Sequence, residues 1–327
     1  MKKILKYSAL LFFCVFGCAH PPVTEKIDEV PIYSGSKHQD PLIQRHSPLF
    51  AVYGYNDPWN RIGTPSARTN EKGEELVYVD EDRPAIYVMK KEFTTKRGSY
   101  TNLIYRIHFP EVPFSLVPFY LTAGKNVGLL VILTLDKNHN PLLVTTVSTC
   151  GCYAAVIPTS YLPKDVYPDD WNLSKPVEVY GEALPPLLDF RYKQFPKLWV
   201  HLRPDLHRVM NLEVVNEKML TEKDTQNLIE APVLPMENLK KIPINGRHTS
   251  FYYEKWPHKG FVKNSFKSWE SISLSLISLD FFVGTDKVYG DSNTTGTRFY
   301  TSLKPWNREV SDMWNFARFL RFNGWKL

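Results

Sequence analysis

Polar and apolar residues alternate through residues 102–109. Leu103, Tyr105, Ile107 and Phe109 fall on one side, and Asn102, Arg106 and His108 on the other, with Ile104 the one exception. That two-residue period predicts a half-buried strand. Residues 127–135 are almost continuously apolar, Asp136-Lys137-Asn138-His139-Asn140-Pro141 supplies turn chemistry, and residues 142–149 are apolar and β-branched. The pair reads as an antiparallel hairpin at the centre of a sheet, with Leu129, Val131, Leu133 and Leu135 on the core face. Leu130 and Ile132 fall on the other face and are also large and apolar, so that face is expected to be covered too. Further strands are expected at residues 85–93, 177–180, 197–202 and 209–215.

Residues 264–284 fit two periods. Ile272, Leu274 and Leu276 alternate as in a strand, whereas Phe266, Trp269, Ile272, Leu276, Leu279 and Val283 line one face of a helix. Asn264 suits an N-cap and Gly284 a C-terminal stop, which decides for helix. A last helix is expected over residues 308–322, with Val310, Met313, Trp314, Ala317 and Leu320 docked on the domain's own sheet. Residues 216–246 turn charged and proline-bearing, with a short helix begun by Thr221, and a lobe boundary is expected within 217–246. The whole reads as an α+β, sheet-rich domain over residues 50–327, with its central antiparallel hairpin at about 127–149 and helices at the C-terminal end. Residues 18–49, polar and proline-bearing with no sustained period, read as a flexible tether.

Composition is that of a globular chain: 43% hydrophobic and 23% charged, with 25 prolines that favour turns and strand ends over a helical bundle. The N-terminal segment changes the picture. Lys2, Lys3 and Lys6 precede an apolar run over residues 7–16 that is too short to span a bilayer, and Val15-Phe16-Gly17-Cys18 closes it. That segment resembles the signal of bacterial lipoproteins. The resemblance implies removal of residues 1–17, a diacylglycerol on the Cys18 sulfur, acylation of the new amine, and stable anchoring by several acyl chains. Ala19, rather than Asp, after the cysteine implies passage to the outer membrane, facing the periplasm, in a Gram-negative source. Loss of the three lysines lowers the net charge from +6 to +3. The remaining basic residues form no long run, so nucleic acid is not an expected partner.

Catalytic signatures are mostly missing: the sequence has no G-x-S-x-G elbow, no H-E-x-x-H and no C-x-x-C-H. Gly290-Asp291-Ser292 sits at the wrong end of the chain for the G-D-S esterases it resembles, and no histidine follows His258. No cofactor is implied. Cys150-Gly151-Cys152 carries the one concentration of chemistry, since Cys14 leaves with the signal and Cys18 is lipidated. In an oxidising compartment the pair is expected to close into a strained disulfide, serving either as a static clip or as a redox pair. Metal binding by the two thiolates would need histidines, for which His108, His201 and His207 are the candidates. The sequence therefore supports a lipid-anchored envelope protein with a binding or structural role toward an envelope protein or small molecule. The alternatives are a thiol-disulfide or metal-binding protein using Cys150 and Cys152, and an envelope hydrolase with dispersed catalytic residues.

Overall fold

Two sheets share one apolar layer. The computed structural model describes residues 23, 25–26, 30–191, 195–216 and 227–327; the signal segment, Cys18 and Thr221 lie outside them. Strand content greatly exceeds helix content. The larger sheet has six strands in the spatial order Val233–Pro235, Ile86–Thr95, Gly98–Val112, Gly124–Leu135, Pro141–Ser148 and Ala155–Pro158. Only the edge pair Val233–Pro235 with Ile86–Thr95 is parallel. The expected hairpin is present, Leu129 opposite Ser148 and Leu133 opposite Val144, with a bulge at Thr134/Leu135 where the strand enters the Asp136 turn.

Both faces of this sheet are buried. Leu129, Val131, Leu133 and Leu135 pack against Phe50, Val52 and Val200 of a five-stranded sheet formed by Val209–Asn216, Pro196–Leu202, Leu49–Val52, Ile32–Gly35 and Leu228–Ala231. Leu130 and Ile132 face a second core with Phe251, Phe299, Phe316 and Phe319, supplied by the chain after residue 235. The strand Gly98–Val112 therefore departs from the half-buried expectation: Asn102, Arg106 and His108 on its polar face are fully buried beneath that C-terminal layer.

Three boundaries are corrected. Residues 32–35, expected within the tether, form a strand between Leu49–Val52 and Leu228–Ala231, followed by a helix at Pro41–His46 capped by Asp40. Four residues are too few to show a period, and this strand is stabilised by neighbours distant in sequence. Where a lobe boundary was expected, Leu228–Ala231 joins the five-stranded sheet and Val233–Pro235 the six-stranded one, so the segment stitches the sheets together. The terminal helix is confined to Phe316–Phe322; residues 308–315 are turns, and Met313, Phe316, Phe319 and Leu320 are its contribution to the core.

The largest departure is the helix expected over 264–284. It runs from Ser268 to Ser278, ends at Leu279 in the left-handed conformation, and buries Glu270, Ser271 and Ser278 while Ile272, Leu276 and Leu279 of its apolar stripe face solvent. Its polar side is the docked side. Ser271 Oγ donates to Phe281 O at 2.7 Å, the Arg308 guanidinium bonds to Ser278 O, and the Trp269 ring packs against Phe114 and Phe119, so hydrogen bonds and one aromatic contact hold it down. No helix among the described residues is long and apolar enough to cross a membrane.

Candidate functional site

Strand Pro141–Ser148 leads through Thr149 to Cys150-Gly151-Cys152 at the floor of a cleft of about 490 Å³, also lined by Tyr153, Glu270, Gly284 and Tyr300. Backbone bonds clamp the turn from two sides: Thr149 N–H donates to Gly128 O, and Lys287 N–H donates to Thr149 O. Gly151 has φ +95°, and a Cβ there would lie 2.1 Å from Tyr300 O. Only glycine lets the two cysteines turn back so tightly under that carbonyl.

Both cysteines are free, Cys150 buried and Cys152 half-buried. The Cys152 N–H donates to Cys150 Sγ at 3.4 Å, and the Cys152 thiol donates to Glu270 Oε1 at 3.3 Å. Glu270 comes from the first turn of the inverted helix and is 2% exposed. Its carboxylate lies where a side chain on Gly284 would be, and its Oε2 has no hydrogen-bond partner among the described residues. Behind the thiols, Lys267 Nζ pairs with Asp286 Oδ2 at 2.9 Å, and Thr149 Oγ1 donates to Asp286 Oδ1. Lys287 Nζ donates to Cys150 O at 2.7 Å and to Thr285 O at 3.1 Å, and lies 4.7 Å from the Tyr300 ring centroid. Arg106 Nη1 donates to Lys287 O at 3.0 Å, extending this connected set to the middle of the sheet.

The electrostatics follow from that set. The hydrogen bond shared by the two thiols pulls Cys150 below its ordinary value, against burial and with help from Lys267. The same bond, with burial, pushes Cys152 well up. The pair thus gives up its first proton readily, from Cys150, and holds its second. Burial alone would lower Lys267, but Asp286, Cys150 and Glu270 override it and hold the ammonium well above its ordinary value. Arg106, Lys267 and Lys287 are three buried cations, against the two buried carboxylates of Asp286 and Glu270. One thiolate balances the set, and an unbalanced buried charge is costly.

The histidines named from sequence do not gather at the cysteines. His108, expected to be accessible on a polar strand face, is fully buried, accepts from Arg106 Nε at 3.1 Å and packs edge-on to Phe251. His201 is buried near Trp199 and Tyr53, beside a separate cleft of about 500 Å³ that has no cysteine in its lining. His207 stacks on Phe109 at 4.1 Å and bonds through Nε2 to Asn60 Oδ1, although it shares a small cavity with Cys150 and Lys267. Among the described residues no three His, Cys, Asp or Glu side chains are grouped to hold a metal ion. The G-D-S serine, Ser292, starts a four-residue helix capped by Asp291, whose carboxylate accepts from the Asn293 N–H.

Sequence reasoning located the cysteines and missed Glu270, Lys267, Asp286 and Lys287. A signal existed for Glu270: it is the one charged residue within the helix it belongs to. Compared with known proteins, the chain matches no family model, no curated protein and no solved structure.

Proposed function

We propose that the chain is a lipid-anchored, periplasm-facing envelope protein whose Cys150 and Cys152 exchange thiols for disulfide with a ligand entering the cleft. The anchor rests on Val15-Phe16-Gly17-Cys18 and Ala19. The exchange rests on one observation: the thiol pair stands at a cleft floor within a buried charge set that a single thiolate neutralises. A purely binding cleft gives no reason to bury three cations at a cost to stability.

The thiolate is the attacking species in exchange. Cys152, the more exposed cysteine, passes its proton across the shared hydrogen bond to the Cys150 thiolate and attacks one sulfur of a disulfide R–S–S–R′, forming a mixed disulfide and releasing R–S⁻. The Cys150 thiol then attacks the Cys152 sulfur, closing the Cys150-Cys152 disulfide and releasing R′–S⁻, while its proton passes by way of Glu270 to R′–S⁻. The protein dithiol is oxidised and the incoming disulfide is reduced to two thiols. The reverse sequence oxidises an incoming dithiol.

Reduced protein mixed with oxidised glutathione tests this. The folded wild type should lose about two hydrogens in mass, and Cys150→Ser should stop at a glutathione adduct on Cys152. A wild type that stops at the adduct, or stays unreacted until unfolded, overturns the exchange reading. So does one equivalent of bound metal recovered with both thiols reduced.

A further inference from the structure

We propose that helix Ser268–Ser278 and the turn after it form a lipid-binding ridge that seats the mouth of the thiol cleft against an anionic membrane surface. The helix is inside out relative to its own sequence: Ile272, Leu276, Ile277, Leu279 and Phe281 face solvent, with Leu276 86% and Phe281 81% exposed. Trp306, 76% exposed, joins them, because Arg308 two residues later bonds to Ser278 O at the helix end. Contiguous exposed apolar area on this scale marks an interaction site rather than ordinary surface.

Charge selects the occupant. Asp280, the one acid inside the ridge, is already engaged, accepting from Tyr300 Oη at 2.5 Å with Arg308 at 3.9 Å. No other charged side chain is present between Ser271 and Gly284. The rim is cationic: Lys255, Lys259 and Lys304 are all exposed, against Glu254 and Glu309 in the same loops, and Glu309 is already paired with Arg318. The 255–259 loop reaches the ridge through His258, whose ring centroid lies 4.9 Å from that of Phe282. Apolar tips with a tryptophan and a lysine rim are the pattern of an element that lies in a bilayer interface, where acyl chains take the apolar side chains and anionic headgroups the cations. Glu270, on the same helix, points to Cys152, so docking of the ridge places the cleft beside the membrane. This proposal does not depend on the thiol reading.

The test uses the chain from Ala19 onward, which keeps every described residue and lacks the acyl anchor, floated with phosphatidylethanolamine vesicles with or without phosphatidylglycerol. Wild type should float with the vesicles, and phosphatidylglycerol should raise the bound fraction roughly tenfold or more. Leu276→Ser with Ile277→Ser and Phe281→Ser should stay at the bottom of the gradient with an unchanged melting temperature. Lys255→Ser with Lys259→Ser and Lys304→Ser should lose the phosphatidylglycerol dependence. Wild type that floats with neither vesicle, or a serine triple variant that floats equally well, overturns the proposal. A dimer in sedimentation velocity that the serine triple variant converts to monomer also overturns it, assigning the ridge to a second copy of the chain.

Discussion

Cys152 and Glu270, 118 residues apart in the chain, meet at 3.3 Å, the thiol donating to a carboxylate that is almost wholly buried. The negative charge of Glu270 raises both thiols, and its oxygen relays the pair's remaining proton to the leaving thiolate in the proposed exchange. Glu270→Gln keeps the shape and removes both effects. The pH profile of iodoacetamide labelling at the pair should move to lower pH, while exchange with oxidised glutathione should slow at a fixed thiolate fraction. An alkaline shift in labelling would falsify this account of the pair.

Gly151→Ala tests the clamp over the cysteines. Its Cβ would meet Tyr300 O at 2.1 Å, at a φ that alanine rarely adopts. Destabilisation of at least about 1–3 kcal/mol is expected in urea unfolding, and Tyr300 must move for the variant to fold. An unchanged urea midpoint would show that the turn is not held against that carbonyl.

Neighbouring residues of the central strand face opposite cores. Leu130 and Leu133 are both buried, Leu130 among the C-terminal aromatics and Leu133 against the five-stranded sheet. Truncating either to Ala should cost about 2–5 kcal/mol, with no cheap face between them. A loss below about 1 kcal/mol at Leu130 would mean that the C-terminal layer is not closed over it.

Acid should weaken the fold well before its carboxylates titrate. Burial holds His46 and His201 down to about 4 and His207 down to about 3, and pushes His108 well below its ordinary value. Their folded values lie below the unfolded value of about 6.5, so the unfolded chain binds protons first as pH falls. Stability from these groups is complete above that pH and declines toward pH 4, by about 1.4 kcal/mol per pH unit for each histidine. Urea midpoints from pH 7 to 4.5 should fall accordingly, and His201→Gln should give a shallower fall. Equal slopes in the two proteins would remove His201 from the account.

Anchoring is tested at Cys18, outside the described residues. Cys18→Ser removes the sulfur that forms the thioether, so labelling with a radioactive fatty acid should vanish and the signal should stay uncleaved. Equal label in wild type and variant would end the lipoprotein assignment.

Strong local pattern made the central sheet readable. The alternation over residues 102–109 and the apolar runs around the Asp136 turn determined the strands, the hairpin and which residues share a face, because side chains of a strand alternate faces wherever it lies. The Cys-Gly-Cys turn was equally plain, since cysteine chemistry needs no neighbours to be noticed. Local pattern cannot say what covers a face. Asn102, Arg106 and His108 read as solvent-facing and are buried because a C-terminal layer more than 130 residues later in the chain closes over them. The stripe of Ile272, Leu276 and Leu279 read as one face of a helix, and that face is exposed, because the helix docks through Glu270, Ser271 and Ser278. Lys267, Asp286 and Lys287 gained their meaning only when the fold carried them to Cys150. Tertiary structure decided these points because burial and charge balance depend on which distant segments meet, whereas the period of a sequence reports only the geometry of its own backbone.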